Sequence, residues 1–236
     1  MNTSSPDIPI LFADEHLLVI AKPAGLLALP DGWDAARLHL RALLEPQWGQ
    51  LWVVHRLSKE SSGVLLLARH AEARRLLNRQ FAQREVRKTY HAIVFGEPNW
   101  QQHTVTLRLS PNRGRRKRTV ADPHGQEACT DLRVLRRFGE AFTLIEAHPH
   151  TSRRHQLRVH LFALGHPIVH DPLYGHTTTD HPLPLHRLAL HARRLVCRHP
   201  FTGELLGFTA SHPPDFAGAL EDLAAYGTLY AEKPSI

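Results

Sequence analysis

Apolar positions along this chain of 236 residues change period several times, and each change marks an element. LLVI at 17–20 is a continuous apolar run stopped by Lys22-Pro23-Ala24-Gly25, which predicts a short strand and a turn. DAARLHLRALL spaces Leu38, Leu40, Leu43 and Leu44 as a helix face would, predicting a helix over 34–44. WVVHRLSKESSGVLLLARH holds two apolar runs around a polar loop with Ser61, Ser62 and Gly63, a strand, a loop and a buried strand. In HAEARRLLNRQFAQREVRK, Ala73, Leu76, Leu77 and Phe81 fall on one helical face and Arg74, Arg75, Asn78 and Arg79 largely elsewhere. The outer side of that helix is basic.

KTYHAIVFGEP reads as a strand ended by Gly96 and Pro98, and SPNRGRRKRTVADPHG as a loop or hairpin tip. EACTDLRVLRRF and FTLIEAHPH alternate like paired strands. From Ser152 to Leu164 the leucines 157, 161 and 164 recur at helical spacing, with Gly165 as the stop. Arg153, Arg154, His155 and Arg158 would then occupy the first turns of an amphipathic helix, with Arg154 and Arg158 sharing a face at i,i+4. PIVHDPLYG predicts a short strand and turn, LALHARRLVCRHP and ELLGFTASHPP two strands around Thr202-Gly203, and FAGALEDLAAYG a closing helix. Strands and helices without regular alternation or repeat indicate an α+β fold with a mainly antiparallel sheet.

Composition narrows the function. With 42% hydrophobic and 22% charged residues the chain has material for a core, which excludes a disordered or fibrous protein. Twenty-nine Lys+Arg against 22 Asp+Glu give a formal +7 and point to a polyanionic partner, nucleic acid first. No apolar run approaches the roughly 20 residues of a membrane span, and no secretory signal is visible at the start. Cys129 and Cys197 lie far apart without CxxC spacing, so neither a disulfide framework nor a thiolate zinc site is expected, and a reducing cytoplasm is. Nineteen histidines, among them His148, His150, His155, His166, His170 and His176, raise a metal question; their scatter over strands, loops and a helix argues for no metal.

Three local cues carry chemistry. His55-Arg56-Leu57-Ser58-Lys59-Glu60-Ser61-Ser62-Gly63 holds charged and hydroxyl groups between apolar strands, where sites tend to sit. Arg153, Arg154, His155 and Arg158 form a second cationic array, and the run Arg113, Arg115, Arg116, Lys117 and Arg118 a third; all suit phosphate contacts.

The order of these motifs resembles the RluA-type RNA pseudouridine synthases. KPAGLLALP is similar to their KPxG segment, HRLSKESSGVLLLAR to HRLDxxTSGLLLLAK, and KTYHAIVFG to KxYxAxVxG. TSRRHQLRVHLFALGHPIVHDPLYG is similar to TGRTHQIRVHLxxxGHPIxGDxxYG, and LALHARRLVCRHPFTGE to LHAxxLxxxHPxTGE. The resemblance implies the pseudouridine synthase fold, a curved mixed, mainly antiparallel sheet with a central cleft flanked by helices. It implies a tail over 1–10 and one catalytic domain over 11–236, without an S4-type domain. It also implies a monomer acting on a tRNA or rRNA stem-loop, with neither metal nor organic cofactor.

The implied reaction breaks the uridine N1–C1′ bond, turns the uracil in place and rejoins it through C5. It calls for a carboxylate at the flipped nucleoside, as nucleophile at C1′ or base for the C2′ proton. The family's aspartate falls at Ser58 here. Arg56 takes the place of the arginine that enters the stack when the base flips, and Tyr90 that of the tyrosine packed on the flipped base. Arg158 takes the place of the arginine that pairs with the catalytic aspartate; without it, an anion, a water or another carboxylate has to compensate. Glu60 is the nearest substitute carboxylate, Asp171 is expected to fix the DPLYG turn, and Arg154 and His170 depart from the family's Thr and Gly. With Ser58 neutral, the alternative is an inactive RNA-binding or RNA-folding protein on the same scaffold.

Overall fold

The structure, a computed structural model, describes residues 8–29, 39–111, 118–175, 183 and 185–231. In chain order these form β1 (Ile10–Ala13), β2 (Leu17–Lys22), α1 (Leu40–Trp48), β3 (Trp52–Val53), β4 (Ser62–Ala68), α2 (Ala71–Ala82), β5 (Arg87–Phe95) and β6 (Gln102–Pro111). There follow β7 (Thr119–Ala121), β8 (Gln126–Phe138), β9 (Phe142–Pro149), α3 (Gln156–Ala163), β10 (Leu190–Arg198), β11 (Leu205–Thr209) and α4 (Pro214–Ala231). The class is α+β, and the registered strand pairs are antiparallel. The chain divides into two compact units, Met1–Lys88 with Ala192–Ser211, and Thr89–His191 with His212–Ile236.

In the first unit the strand order is β1–β2–β4–β10, with β3 on β4 and β11 on β10. β4 is buried at all seven positions, as its unbroken apolar run requires of a central strand. Its register on β2 sets Leu18 opposite Leu67 and Lys22 opposite Gly63, so the KPAG turn leaves the sheet beside the start of β4. Gly63 has φ +116°, and a Cβ there would meet the Ala192 carbonyl oxygen at 2.2 Å. Only glycine lets the two strands approach this closely. α2 covers the sheet with Ala73 and Leu77, and its buried Gln80 bonds both Arg198 backbone groups, Nε2 to the carbonyl at 2.8 Å and Oε1 from the amide at 3.0 Å.

α1 corrects the helix expected over 34–44. It starts at Leu40, capped by the His39 ring, which accepts from the Ala42 amide at 3.2 Å. It runs through Pro46 to Trp48, where the Gly49 amide closes it on Glu45 O. Residues 34–38 lie outside the described residues.

The second unit orders its strands β5–β9–β8–β6–β7 around a core that includes Ile93, Ile145, Leu161, Leu185 and Phe216. β6 was not expected, although HTVTLRLS alternates and buries Val105 and Leu109 between exposed or half-exposed neighbours. It pairs with β7, Pro111 opposite Thr119, so the strands flanking the basic run form a hairpin. Arg113, Arg115, Arg116 and Lys117 lie outside the described residues; Arg118 is half-buried next to β7.

The helix expected from Ser152 begins only at Gln156. His155 before it sits in the left-handed region at φ +55°. The Gln156 side chain holds that turn: it accepts from the Arg153 amide at 3.0 Å and the Thr151 hydroxyl at 2.8 Å, and donates to Cys129 O and Thr130 Oγ1. Arg153, Arg154 and His155 therefore precede the helix, and the i,i+4 pairing of Arg154 with Arg158 does not exist. Nor is α3 amphipathic, because Gln156 through Leu161 are all buried.

Candidate active site

The first unit presents the loop between β3 and β4. Lys22, 1% exposed, ends β2 and turns its ammonium onto the carbonyls of Pro23 (2.7 Å), Leu26 (2.8 Å) and Lys59 (3.3 Å). The Gly25 amide also donates to Lys59 O, at 2.8 Å. A buried cation takes the carbonyls it needs from turn and loop together, so the KPAG turn and the Ser58 loop are one construction. On the other flank, His55 Nε2 accepts from the Leu66 amide at 3.0 Å and its ring stacks on Phe81, centroids 5.0 Å apart. Burial, with Lys88 adding its charge, lowers the His55 pKa to about 3, and the ring is neutral as its acceptor role requires. Burial also lowers Lys88 to about 8.

Between these anchors Arg56 is exposed, with no hydrogen bond or ion pair among the described residues. The half-buried Ser58 places Oγ 2.5 Å from Ser61 Oγ and accepts from the Ser61 amide at 3.2 Å. Its hydroxyl thus braces the turn in which the Ser61 amide returns to Ser58 O at 3.2 Å, a common place for serine, and has no carboxylate or imidazole among these partners. Glu60, the substitute considered above, is half-buried and unpaired among the described residues.

The second unit holds Tyr90, Arg158 and Asp171. Tyr90 lies on β5 opposite Ala147, half-buried against the core, and burial pushes its phenol up to about 12. Arg158, 4% exposed, makes a two-pronged ion pair with Asp171, Nε to Oδ2 at 2.7 Å and Nη2 to Oδ1 at 2.5 Å. Asp171 Oδ1 also accepts from the Leu173 and Tyr174 amides at 2.9 and 3.0 Å. Asp171 therefore fixes the DPLYG turn as expected and also supplies the carboxylate that Arg158 needs. The guanidinium lies 5.2 Å from the Tyr174 ring centroid. Tyr174 Oη accepts from the Thr119 amide and donates to the Thr119 carbonyl, both at 2.8 Å, and lies 3.1 Å from His155 Nδ1. With that hydroxyl hydrogen committed, His155 donates from Nδ1; burial and the charges of Arg158 and Arg154 lower its pKa to about 4.

Of the other expected RNA contacts, Arg153 is half-buried and donates from Nε to Glu127 O at 3.0 Å, while Arg154 is exposed. His170 is exposed at φ +54°, a left-handed position that suits the family's glycine better. Among the described residues no group of three or more His, Cys, Asp or Glu is arranged to hold a metal, and no helix is long and apolar enough to cross a membrane. Sequence reasoning missed Lys22, Tyr174 and Thr119. The KPAG and DPLYG motifs contain the first two, but nothing in them tells which loop each side chain ties down.

The family described as RNA pseudouridylate synthase matches residues 16–163. Ribosomal large subunit pseudouridine synthase D of Nitrosomonas europaea is 38% identical over 91% of the chain, which spans 64% of that protein's length. The dual-specificity RNA pseudouridine synthase RluA of Pasteurella multocida is 38% identical over 90% of the chain and 96% of its own. Among solved structures, human RNA pseudouridylate synthase domain containing 4 aligns with a TM-score of 0.73 at 29% identity, over 91% of this chain and 92% of that one. The domain containing 1 protein aligns at 0.76 and 25%, over 100% and 99%. On its motifs, its fold and these relatives, the chain belongs to the RluA-type family of RNA pseudouridine synthases.

Proposed function

We propose that the protein binds a uridine-bearing stem-loop of tRNA or rRNA in the cytoplasm, flips the uridine out with Arg56 and packs it on Tyr90. Its isomerase turnover is then limited by Ser58. The observation that carries this reading is the loop 54–61, held on one side by Lys22 and on the other by the His55–Phe81 stack, with Arg56 free at its surface. A planar cation on a rigid loop suits replacement of an extruded base. The relatives named RluA and synthase D support uridine in structured RNA as the substrate class.

Against efficient turnover stands the turn at Ser58. A hydroxyl with no adjacent base is a poor nucleophile and no base at neutral pH. Losing the nucleophile costs a covalent enzyme on the order of 10⁶ in rate, as a serine protease shows. That observation supports the second reading, an RNA-binding or RNA-folding protein without turnover. Mapping pseudouridine in RNA from cells with and without the gene, beside assays of purified protein on the mapped stem-loops, separates the two. Sites lost with the gene and made in vitro establish the isomerase. RNA bound without any conversion establishes the second reading. Efficient conversion that Glu60→Ala abolishes assigns the carboxylate role to Glu60.

A further inference from the structure

The most concentrated charge among the described residues lies outside the 54–61 loop and the 151–175 segment. Between residues 71 and 88 stand Arg74, Arg75, Arg79, Arg84, Arg87 and Lys88 against Glu72 and Glu85, more than half of the chain's formal net charge of +7. All five arginines are exposed. Arg75 is neutralised locally, Nε and Nη2 donating to Glu72 at 3.0 and 2.6 Å. Arg74, Arg79, Arg84 and Arg87 make no side-chain hydrogen bond or ion pair with any described residue. Elsewhere the common pattern is pairing: Arg41 with Glu45, Arg108 with Glu127, Arg133 with Glu146, Arg137 with Glu97, Arg187 with Asp215.

Two local features indicate that these arginines are not there for stability. Arg74 closes the first turn of α2, where the positive end of the helix dipole disfavours a cation. Arg84 follows the helix C-cap Gln83 with φ +60°, where glycine or asparagine is the less strained choice. Arg79 alone has a conventional role, in the last turn against the helix dipole. The band is also tied to the candidate site within the same unit. Phe81 of α2 stacks on His55, and Arg56 is the next residue.

We infer that the exposed face of α2 and its exit, through Arg74, Arg79, Arg84 and Arg87, is a second RNA-binding surface that grips phosphates flanking the target uridine. It rests on the RNA-binding reading above and adds to it a surface independent of the basic hairpin and of Ser58. Side chains on adjacent helical turns offer several phosphate contacts without reading bases, so the surface contributes affinity and register, not sequence preference.

The test is the triple variant Arg74→Gln, Arg79→Gln, Arg84→Asn, titrated with a uridine-bearing RNA stem-loop over a range of salt. Each phosphate contact contributes about 0.7–0.9 to the slope of log K against log salt. The expected result is a slope shallower by about two units and an affinity at least tenfold weaker at low salt. The loss should be equal for stem-loops of different sequence, with the melting temperature unchanged or raised. The control Arg108→Gln, Arg136→Gln, Arg194→Gln removes the same charge from exposed positions elsewhere. An equal loss in the control, or an unchanged slope in the α2 variant, overturns the proposal. Failure of the unmodified chain to bind any RNA overturns the RNA-binding reading itself and this surface with it.

Discussion

At the scale of single residues, Ser58 exchanges a charge for a hydroxyl while keeping the turn. An aspartate at 58 would accept the same Ser61 amide, as Asp commonly does from the first position of a β-turn, so Ser58→Asp fits the loop without rebuilding it. We predict that this variant gains measurable pseudouridine formation over the unmodified chain, read by chemical mapping on a stem-loop that both bind. Equal binding with no gain would mean that other departures, Arg154 and His170 foremost, have altered the substrate site. The Arg158–Asp171 pair predicts a large stability effect. Asp171→Asn leaves a buried guanidinium without its carboxylate and should cost about 3–5 kcal/mol in urea unfolding. A loss under about 1 kcal/mol would show the cation to be solvated rather than paired. His160 is fully buried, with neither ring nitrogen hydrogen-bonded among the described residues. Replacing it by leucine should therefore stabilise by roughly 1 kcal/mol, and destabilisation would reveal a partner for the ring.

At the scale of elements, Gly63 joins strand geometry to sheet assembly. Gly63→Ala forces a methyl into the Ala192 backbone at a φ that L-residues avoid. A loss of about 3 kcal/mol or more is expected, and a variant as stable as the parent would show that the strands can part there. Elements with one dominant period were legible in the sequence: β4 from its apolar run, α2 from the 73–77–81 face, β10 and β11 from the turn at Gly203. Those decided by a single side chain were not. The start of α3 depends on the amide of Gln156 filling four hydrogen bonds, and leucine spacing carries no trace of that. The site was legible as motifs and not as wiring. Arg56 and Ser58 could be named, whereas the pairing of Arg158 with Asp171 across 13 residues needed the folded turn.

At the scale of the whole molecule, the buried His160 and the half-buried His55 and His155 set the response to acid. His55 is lowered to about 3, and His155 and His160 to about 4, from an ordinary 6.5, with burial the leading cause in each. The unfolded chain takes up these protons first, so stability is full above about pH 6.5 and is lost progressively from there toward pH 4. Each histidine contributes at most about 1.4 kcal/mol per pH unit in that window. Urea midpoints should fall between pH 7 and pH 5, and less steeply in His160→Leu. A flat profile would mean that the rings accept protons in the folded state. The lysine at the end of β2 has one last consequence, for exchange kinetics. The Gly25 amide donates to Lys59 O, which also receives the Lys22 ammonium. Its deuterium uptake therefore clocks the lifting of the Ser58 loop from its turn, a local opening slower than fraying and faster than unfolding of the unit. RNA that settles on the loop should slow that one amide, and with it the Leu66 amide held by His55, while leaving the Leu65 amide of β4 unchanged, giving a residue-resolved clock of substrate engagement.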